Sequence, residues 1–340
     1  METLFDSFQI KAVSSCLPNE PIMVSDFGKV FGENEVKRIA ASSGVHSIYS
    51  VKSNQGLTDL CERAANDLLF QQKIDAKSID AIIVVTQTSE FVAPATSAIL
   101  QSRLNLNQNV LAFDINYGCS GYIYGLYQAA LLIKAAHCKN VLLLAGDAIT
   151  PLIDPEDRKL KLLLSDAATA SLITPGKHKA GFILKTDGNG SASLMAKRKY
   201  PASYKTNKKD EFSDGFYRMN GSDVMAFALR EVPKVIDDGL ENMDWQKDEV
   251  DFFALHQANQ FMLQYLIRKS NLPKDKTPIG VANVGNTGPA SIPLLMSMMA
   301  DELKEKSLNK SILCGFGVGL SWGSAAVNLS KTDFHQPVHL

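Results

Sequence analysis

Short, predominantly apolar runs recur along the chain and alternate with longer segments of helical spacing. AIIVV (81–85), VLAFDI (110–115), NVLLLAG (140–146), TASLI (169–173), VDFFAL (250–255) and SILCGFG (311–317) read as strands. They show little of the apolar–polar alternation of a sheet with one wet face, so both faces must be covered, as in a mostly parallel sheet. Segments 57–72, 121–136, 222–240, 260–272 and 292–306 carry apolar residues at helical spacing. Pro233 is a candidate kink in the third of them. Strands alternating with helices predict an α/β fold.

The order of elements occurs twice. DAIIVVTQT (80–88) leads to a strand ending at Gly118-Cys119, then a helix, then NVLLLAGD. VDFFALHQA (250–258) leads to VANVGNTGPAS (281–291), then a helix, then SILCGFG. Asp80 and Cys119 are 39 positions apart, Asp251 and Asn286 are 35. The pattern predicts two similar halves, divided as 1–175 and 176–340, with Gly118-Cys119 and Gly285-Asn286 at matching strand-to-helix turns.

A net charge of −1 over 340 residues gives no global attraction to nucleic acid or an anionic membrane. The five cysteines, at 16, 61, 119, 138 and 314, form no CxxC pair. That fits neither a disulfide framework nor a zinc site and favours a reducing, cytoplasmic setting. A secretory leader and an apolar membrane span are not expected. The basic stretch 197–211 reads as a solvated loop.

Three residues carry candidate chemistry. Cys119, in DINYGCSGYIYGL, lies where a strand hands over to a helix. A helix N-terminus offers free N–H groups and partial positive charge, which lower a thiol pKa and can hold an oxyanion. A small buried hydrophobe is the alternative. His256, in FFALHQAN, follows a buried strand, where α/β folds place their sites; a structural histidine is the alternative. Asn286, in VGNTGPAS, sits in a turn where asparagine also occurs for local reasons. The order Cys, His, Asn is also that of papain-like proteases, and the Cys–His spacing of 137 falls in their range. The missing CGSCW-type signature and the βαβ-like segment before Cys119 oppose that reading.

In these motifs the chain resembles the β-ketoacyl-acyl-carrier-protein synthase III group of thiolase-fold condensing enzymes. AFDINYGCSGYIYGL resembles its nucleophile segment, DPEDR (154–158) a loop, LHQAN (255–259) its histidine motif and GNTGPASIP (285–293) its asparagine motif. GFGVGLSWGSAAV (315–327) is similar to its C-terminal glycine-rich turn. The resemblance implies an α/β thiolase fold, a five-layer αβαβα sandwich of two similar halves, assembled as a homodimer.

It also implies roles. Cys119 would accept an acyl group, and His256 and Asn286 would hold the carbonyl of a malonyl-type extender during decarboxylation. The backbone N–H groups of Cys119 and Val318 would form an oxyanion hole. Phe91 and Val92 would line the acyl pocket. No cofactor would be tightly bound; CoA or phosphopantetheine thioesters would be substrates, with an acyl carrier protein as partner. Arg158 would meet a pantetheine-linked phosphate, Phe261 falls at a CoA-stacking position, and Arg268 and Lys269 fall where the family docks its carrier. Arg38 stands where the family's stacking Trp would be, and Val318 replaces an oxyanion-turn glycine. ASSGVHS (41–47) lacks the family's arginine, and SDAATA (165–170) replaces a glycine-rich turn. These departures direct attention to a donor other than the usual CoA ester. Acyl transfer from Cys119 to an alcohol or amine without decarboxylation is the alternative chemistry, and a non-catalytic subunit the third.

Overall fold

The computed structural model describes residues 1–196 and 215–340. The predicted loop at 197–211 lies outside the described residues. Two long strands organise the rest. Strand β1 (Glu2–Leu17) runs antiparallel to β5 (Ala167–Thr186), from the pair Glu2–Ile183 to the pair Cys16–Ala168. Hydrogen bonding joins the main strands in one continuous ten-stranded network, with a first sheet on the first part of β5 and a second on its last part.

On one side, β2 (Ala81–Val85) lies between β3 (Leu111–Ile115) and β4 (Val141–Asp147), parallel to both. Strand β4 then pairs antiparallel with the first part of β5, from Val141–Ile173 to Asp147–Ala167. On the other side, β6 (Phe252–Leu255) runs parallel to β7 (Ser311–Gly317). Strand β7 pairs antiparallel with β8 (Ser321–Val327), and β8 with the last part of β5. The proposed division at 175/176 falls inside β5. TASLI was expected as a five-residue strand, but β5 is 20 residues long. Its polar, exposed centre, Lys177-His178-Lys179, conceals the continuation that pairing with β1 enforces.

The helices fill three further layers. Helix α1 (Leu57–Gln72) and α2 (Thr96–Arg103) cover the outer face of the first sheet. Helix α3 (Gly121–Ala136) touches strands of both sheets. Its sequence, GYIYGLYQAALLIKAA, is apolar nearly all round, as a helix enclosed on both sides requires. Helix α4 (Gly221–Asn242) covers the outer face of the second sheet, and α5 (Gln260–Lys269) packs against α4. Helix α6 (Ser291–Met298) shares the middle layer with α3. The predicted helix at 292–306 is interrupted at Met299 and resumes as a short piece, Ala300–Lys304. Pro233 lies within α4, which runs through it. This is the αβαβα sandwich expected.

The two halves repeat each other in detail. The Asp80 N–H donates to the Asn140 carbonyl at 2.9 Å, and the Asp251 N–H to the Lys310 carbonyl at 2.8 Å. Each carboxylate in turn accepts from the backbone N–H of that same partner, at 2.9 and 3.0 Å. Among the described residues no helix is long and apolar enough to cross a membrane.

Candidate active site

Strand β7 is the meeting point. Its glycines 315 and 317 lie against the Cys119 turn. A Cβ on Gly317 would stand 2.7 Å from the Cys119 Cβ and 3.1 Å from its Sγ; one on Gly315 would stand 2.9 Å from the Ser120 Cα. Any side chain there would expel the nucleophile turn. Cys119 immediately precedes Ser120, the N-cap of α3. The Ser120 hydroxyl shares a 2.6 Å hydrogen bond with that of Ser321, which donates to the Val318 carbonyl at 2.6 Å. The cysteine turn and the glycine-rich turn are thus tied together.

The thiol departs from expectation. Cys119 is half-buried, and burial pushes its thiol up to about 12, with the Asp147 carboxylate adding to the rise. Its own backbone N–H acts the other way but does not prevail. Burial disfavours the charged thiolate. This direction is opposite to the lowering expected from the helix N-terminus.

Val318 answers a question the sequence raised. The positive φ in this turn falls on Gly319, at +138°, while Val318 keeps an ordinary negative φ. Replacing a glycine at 318 therefore imposes no left-handed strain. Among the described residues, the backbone N–H groups of Cys119 and Val318 donate to no other residue.

His256 follows β6 and is 2% exposed. Its N–H donates to the Cys314 carbonyl at 2.8 Å, extending the ladder to β7. Its Nδ1 lies 2.7 Å from the hydroxyl of Ser291, the first residue of α6, and its ring meets the Phe316 ring edge-on at 5.3 Å. Burial lowers its pKa to about 3, so the imidazole is neutral at physiological pH.

Asn286 is 8% exposed. Its backbone is fixed on both sides, N–H to the Leu163 carbonyl at 2.8 Å and carbonyl from the Ser165 N–H at 3.0 Å. Its Oδ1 accepts from the Gly288 N–H at 3.0 Å. Only an oxygen can accept there, so the amide nitrogen is the end left to donate. No strand precedes it: Val281–Asn283 forms a 3-10 turn, and Asn286 makes an isolated bridge to Leu164. The expected strand-to-helix match with Cys119 holds at the helix side only. The turn reaches the start of α3 through Pro289, whose Cβ lies 3.8 Å from where a Cβ on Gly121 would stand.

Sequence reasoning missed Asp147, Gln87 and Tyr217. Asp147 ends β4 and is 1% exposed. Its carboxylate accepts from the Thr86 hydroxyl (2.8 Å), the Gln87 N–H (2.8 Å), the Gln87 Nε2 (3.0 Å) and the Thr88 hydroxyl (3.1 Å). Burial raises it to about 6 despite those bonds. The strand-end rule that selected His256 applies equally to the final Asp of NVLLLAGD and to the TQT after AIIVV.

A cavity of about 960 Å³ opens beside the Cys119 turn, and its lining includes Gln87, Phe91, Val92, Tyr117, Tyr217 and Val318. Among the described residues, Cys119, His256, Asn286 and the four predicted thioester or carrier contacts are not in its lining. Arg158 pairs with Glu35 at 3.1 Å, and Glu35 also holds Arg38. Phe261 is half exposed and meets Tyr265 at a tilt of 51°, ring centres 4.8 Å apart, with the Arg268 guanidinium 4.6 Å from the Tyr265 ring centre. Lys269 is exposed at the end of α5.

The chain is similar to known proteins. Residues 113–189 match the profile of 3-oxoacyl-[acyl-carrier-protein (ACP)] synthase III, and residues 240–329 its C-terminal counterpart. A β-ketoacyl-[acyl-carrier-protein] synthase III of Streptococcus gordonii is 30% identical, over 94% of this chain and 99% of that protein. The chain belongs to the β-ketoacyl-acyl-carrier-protein synthase III family. The Streptococcus uberis synthase III is 32% identical over 94% of this chain and 99% of its own. Among solved structures, a 3-oxoacyl-(acyl-carrier protein) synthase from Burkholderia xenovorans LB400 aligns with a TM-score of 0.94 and 35% identity, covering 100% of this chain and 99% of that one. The fold is therefore the thiolase fold of this family's condensing enzymes.

Proposed function

We propose that this chain is a condensing enzyme that joins an acyl group to a malonyl-derived unit. In the first step the Cys119 sulfur attacks an acyl thioester. A carbon–sulfur bond forms, the donor's breaks, and the thiol proton ends on the departing thiol. The N–H groups of Cys119 and Val318 would hold the oxyanion of that step. In the second step a malonyl thioester loses CO2, and its electron pair becomes an enolate. The enolate carbon attacks the acyl-Cys119 carbonyl and releases the cysteine sulfur, giving a β-ketoacyl thioester.

The observation that carries this reading is the pair of neutral donors. His256 is buried and uncharged, and its Nδ1 shares a hydrogen bond with the Ser291 hydroxyl; in the tautomer this reading requires, that hydroxyl donates to Nδ1 and Nε2 carries the proton. The Asn286 amide is fixed with its nitrogen outward. Acyl transfer to an alcohol needs one base; enolate formation needs donors on the oxygen where charge grows. No tightly bound cofactor is required. The thioester would arrive on CoA or a phosphopantetheinyl carrier protein, with Arg158 and Phe261 near its arm and Arg268 and Lys269 toward the acidic carrier. The first half, 1–175, would supply the sulfur and the second, 176–340, the donors, in a homodimer.

The test loads the protein with acyl thioesters and locates the adduct by mass spectrometry, then adds malonyl-carrier protein and measures CO2. An adduct on Cys119 followed by CO2 release and a β-ketoacyl product is expected. An adduct without CO2 would favour simple acyl transfer, and no adduct would defeat both.

A further inference from the structure

The cavity beside the Cys119 turn is large and more apolar than polar, with Phe91, Val92 and Leu152 in its walls beside Ser89 and Glu90. Its volume of about 960 Å³ suits a sizeable ligand rather than a two-carbon acyl group. The end nearest the sulfur is different. There the Tyr217 hydroxyl lies 3.4 Å from the Gln87 Oε1, and a Cβ on Gly118, one residue before the nucleophile, would stand 2.5 Å from the Gln87 Nε2. This pair has a fixed polarity. The Asp147 carboxylate only accepts, so the Gln87 nitrogen faces Asp147 and the Gln87 oxygen faces Tyr217. Burial and the neighbouring Cys119 and Asp147 keep Tyr217 a protonated phenol. The cavity therefore presents one donor and one acceptor side by side, joined by a contact at the long, weak end of hydrogen bonding.

We propose that Gln87 and Tyr217 select an acyl group bearing a hydroxyl on the carbons next to its thioester carbonyl, a 2- or 3-hydroxyacyl chain. Such a hydroxyl accepts from Tyr217 and donates to the Gln87 oxygen, replacing one long bond by two good ones. A saturated chain leaves that polar pair buried against methylenes, which a site of this kind rejects. Asp147 is then a positioning residue, since it holds the Gln87 amide in the required sense. The inference rests on Cys119 as the acyl acceptor.

The experiment is a competition. Full-length protein is mixed with equal amounts of decanoyl and 2- or 3-hydroxydecanoyl thioesters of N-acetylcysteamine, and the adducts on Cys119 are weighed by intact-mass spectrometry. One of the hydroxyacyl adducts should exceed the saturated one by about tenfold, the worth of one added hydrogen bond. In Tyr217→Phe and, separately, Gln87→Leu, that ratio should fall toward one. Equal loading in the unaltered protein, or a preference that both variants retain, would overturn the proposal. If no thioester loads Cys119 at all, the reading of Cys119 as acceptor falls and takes the proposal with it. Iodoacetamide capture of Cys119 in each variant shows that the site is assembled.

Discussion

The Cys119 turn and the Asn286 turn both lead into middle-layer helices, α3 and α6, but they are held in opposite ways. At Cys119 the backbone N–H donates to no other residue among the described ones, and the side chain is half-buried. At Asn286 the backbone N–H, the carbonyl and the side-chain oxygen are all taken, and the amide nitrogen alone remains to donate. In the proposed mechanism one turn offers a nucleophile and a main-chain donor, the other a side-chain donor. On that reading the two corners of a repeated scaffold are fixed differently, and the chemistry is divided between the halves. Asp147 bridges them. It raises the Cys119 thiol, and its Oδ2 lies 3.1 Å from where a Cβ on Gly288, in the Asn286 turn, would stand.

The largest expected effect comes from reversing the Asn286 donor. Asn286→Asp keeps the size and the acceptor for the Gly288 N–H but sets negative charge where the enolate forms. Decarboxylation of a malonyl thioester should fall by at least about 10²–10³, the usual cost of one oxyanion donor, while acyl loading of Cys119 persists. Loss of both steps together would erase the division.

A smaller effect concerns pH. His256 titrates near 3 when folded and about 6.5 when unfolded. The unfolded chain binds that proton first, so the stability tied to the neutral ring is present above pH 6.5 and is lost as pH falls from there toward 3. In denaturant titrations, wild type should lose about 2 kcal/mol relative to His256→Asn between pH 6.5 and 5. Asp147, raised to about 6, contributes the opposite slope, with stability present below its unfolded value and lost as pH rises through about 6. That slope is common to both proteins and cancels in the difference. Parallel stability curves would place a charged imidazole in the fold.

The smallest effect tests the bridge. Asp147→Asn removes the charge that opposes the thiolate, so iodoacetamide should alkylate Cys119 faster, by up to about tenfold at fixed pH. An unchanged rate would show that burial alone sets the thiol.

Much of this was legible in the sequence. Apolar runs marked β2, β4, β6 and β7 because strands covered on both faces carry no alternation to confuse them. The spacing Asp80–Cys119 and Asp251–Asn286 exposed the repeat because equivalent aspartates cap equivalent strand starts. The length of β5 was hidden, since its exposed centre is polar and only β1 holds it extended. The thiol's high pKa was hidden too. A helix N-terminus is visible in a motif, whereas Asp147 reaches Cys119 from 28 residues away in sequence and desolvation comes from the whole wall. Gln87 and Tyr217 meet across 130 positions, a separation no local pattern records.

The central claim is that sulfur and donors act in separate steps, and one paired measurement on His256→Ala tests it most directly. The same preparation is assayed for acyl adduct on Cys119 and for CO2 released from a malonyl thioester. Retained acylation with decarboxylation reduced by about 10²–10³ is the result expected of a neutral donor to the enolate. Normal decarboxylation with acylation lost would contradict the account and make His256 the partner of the thiol.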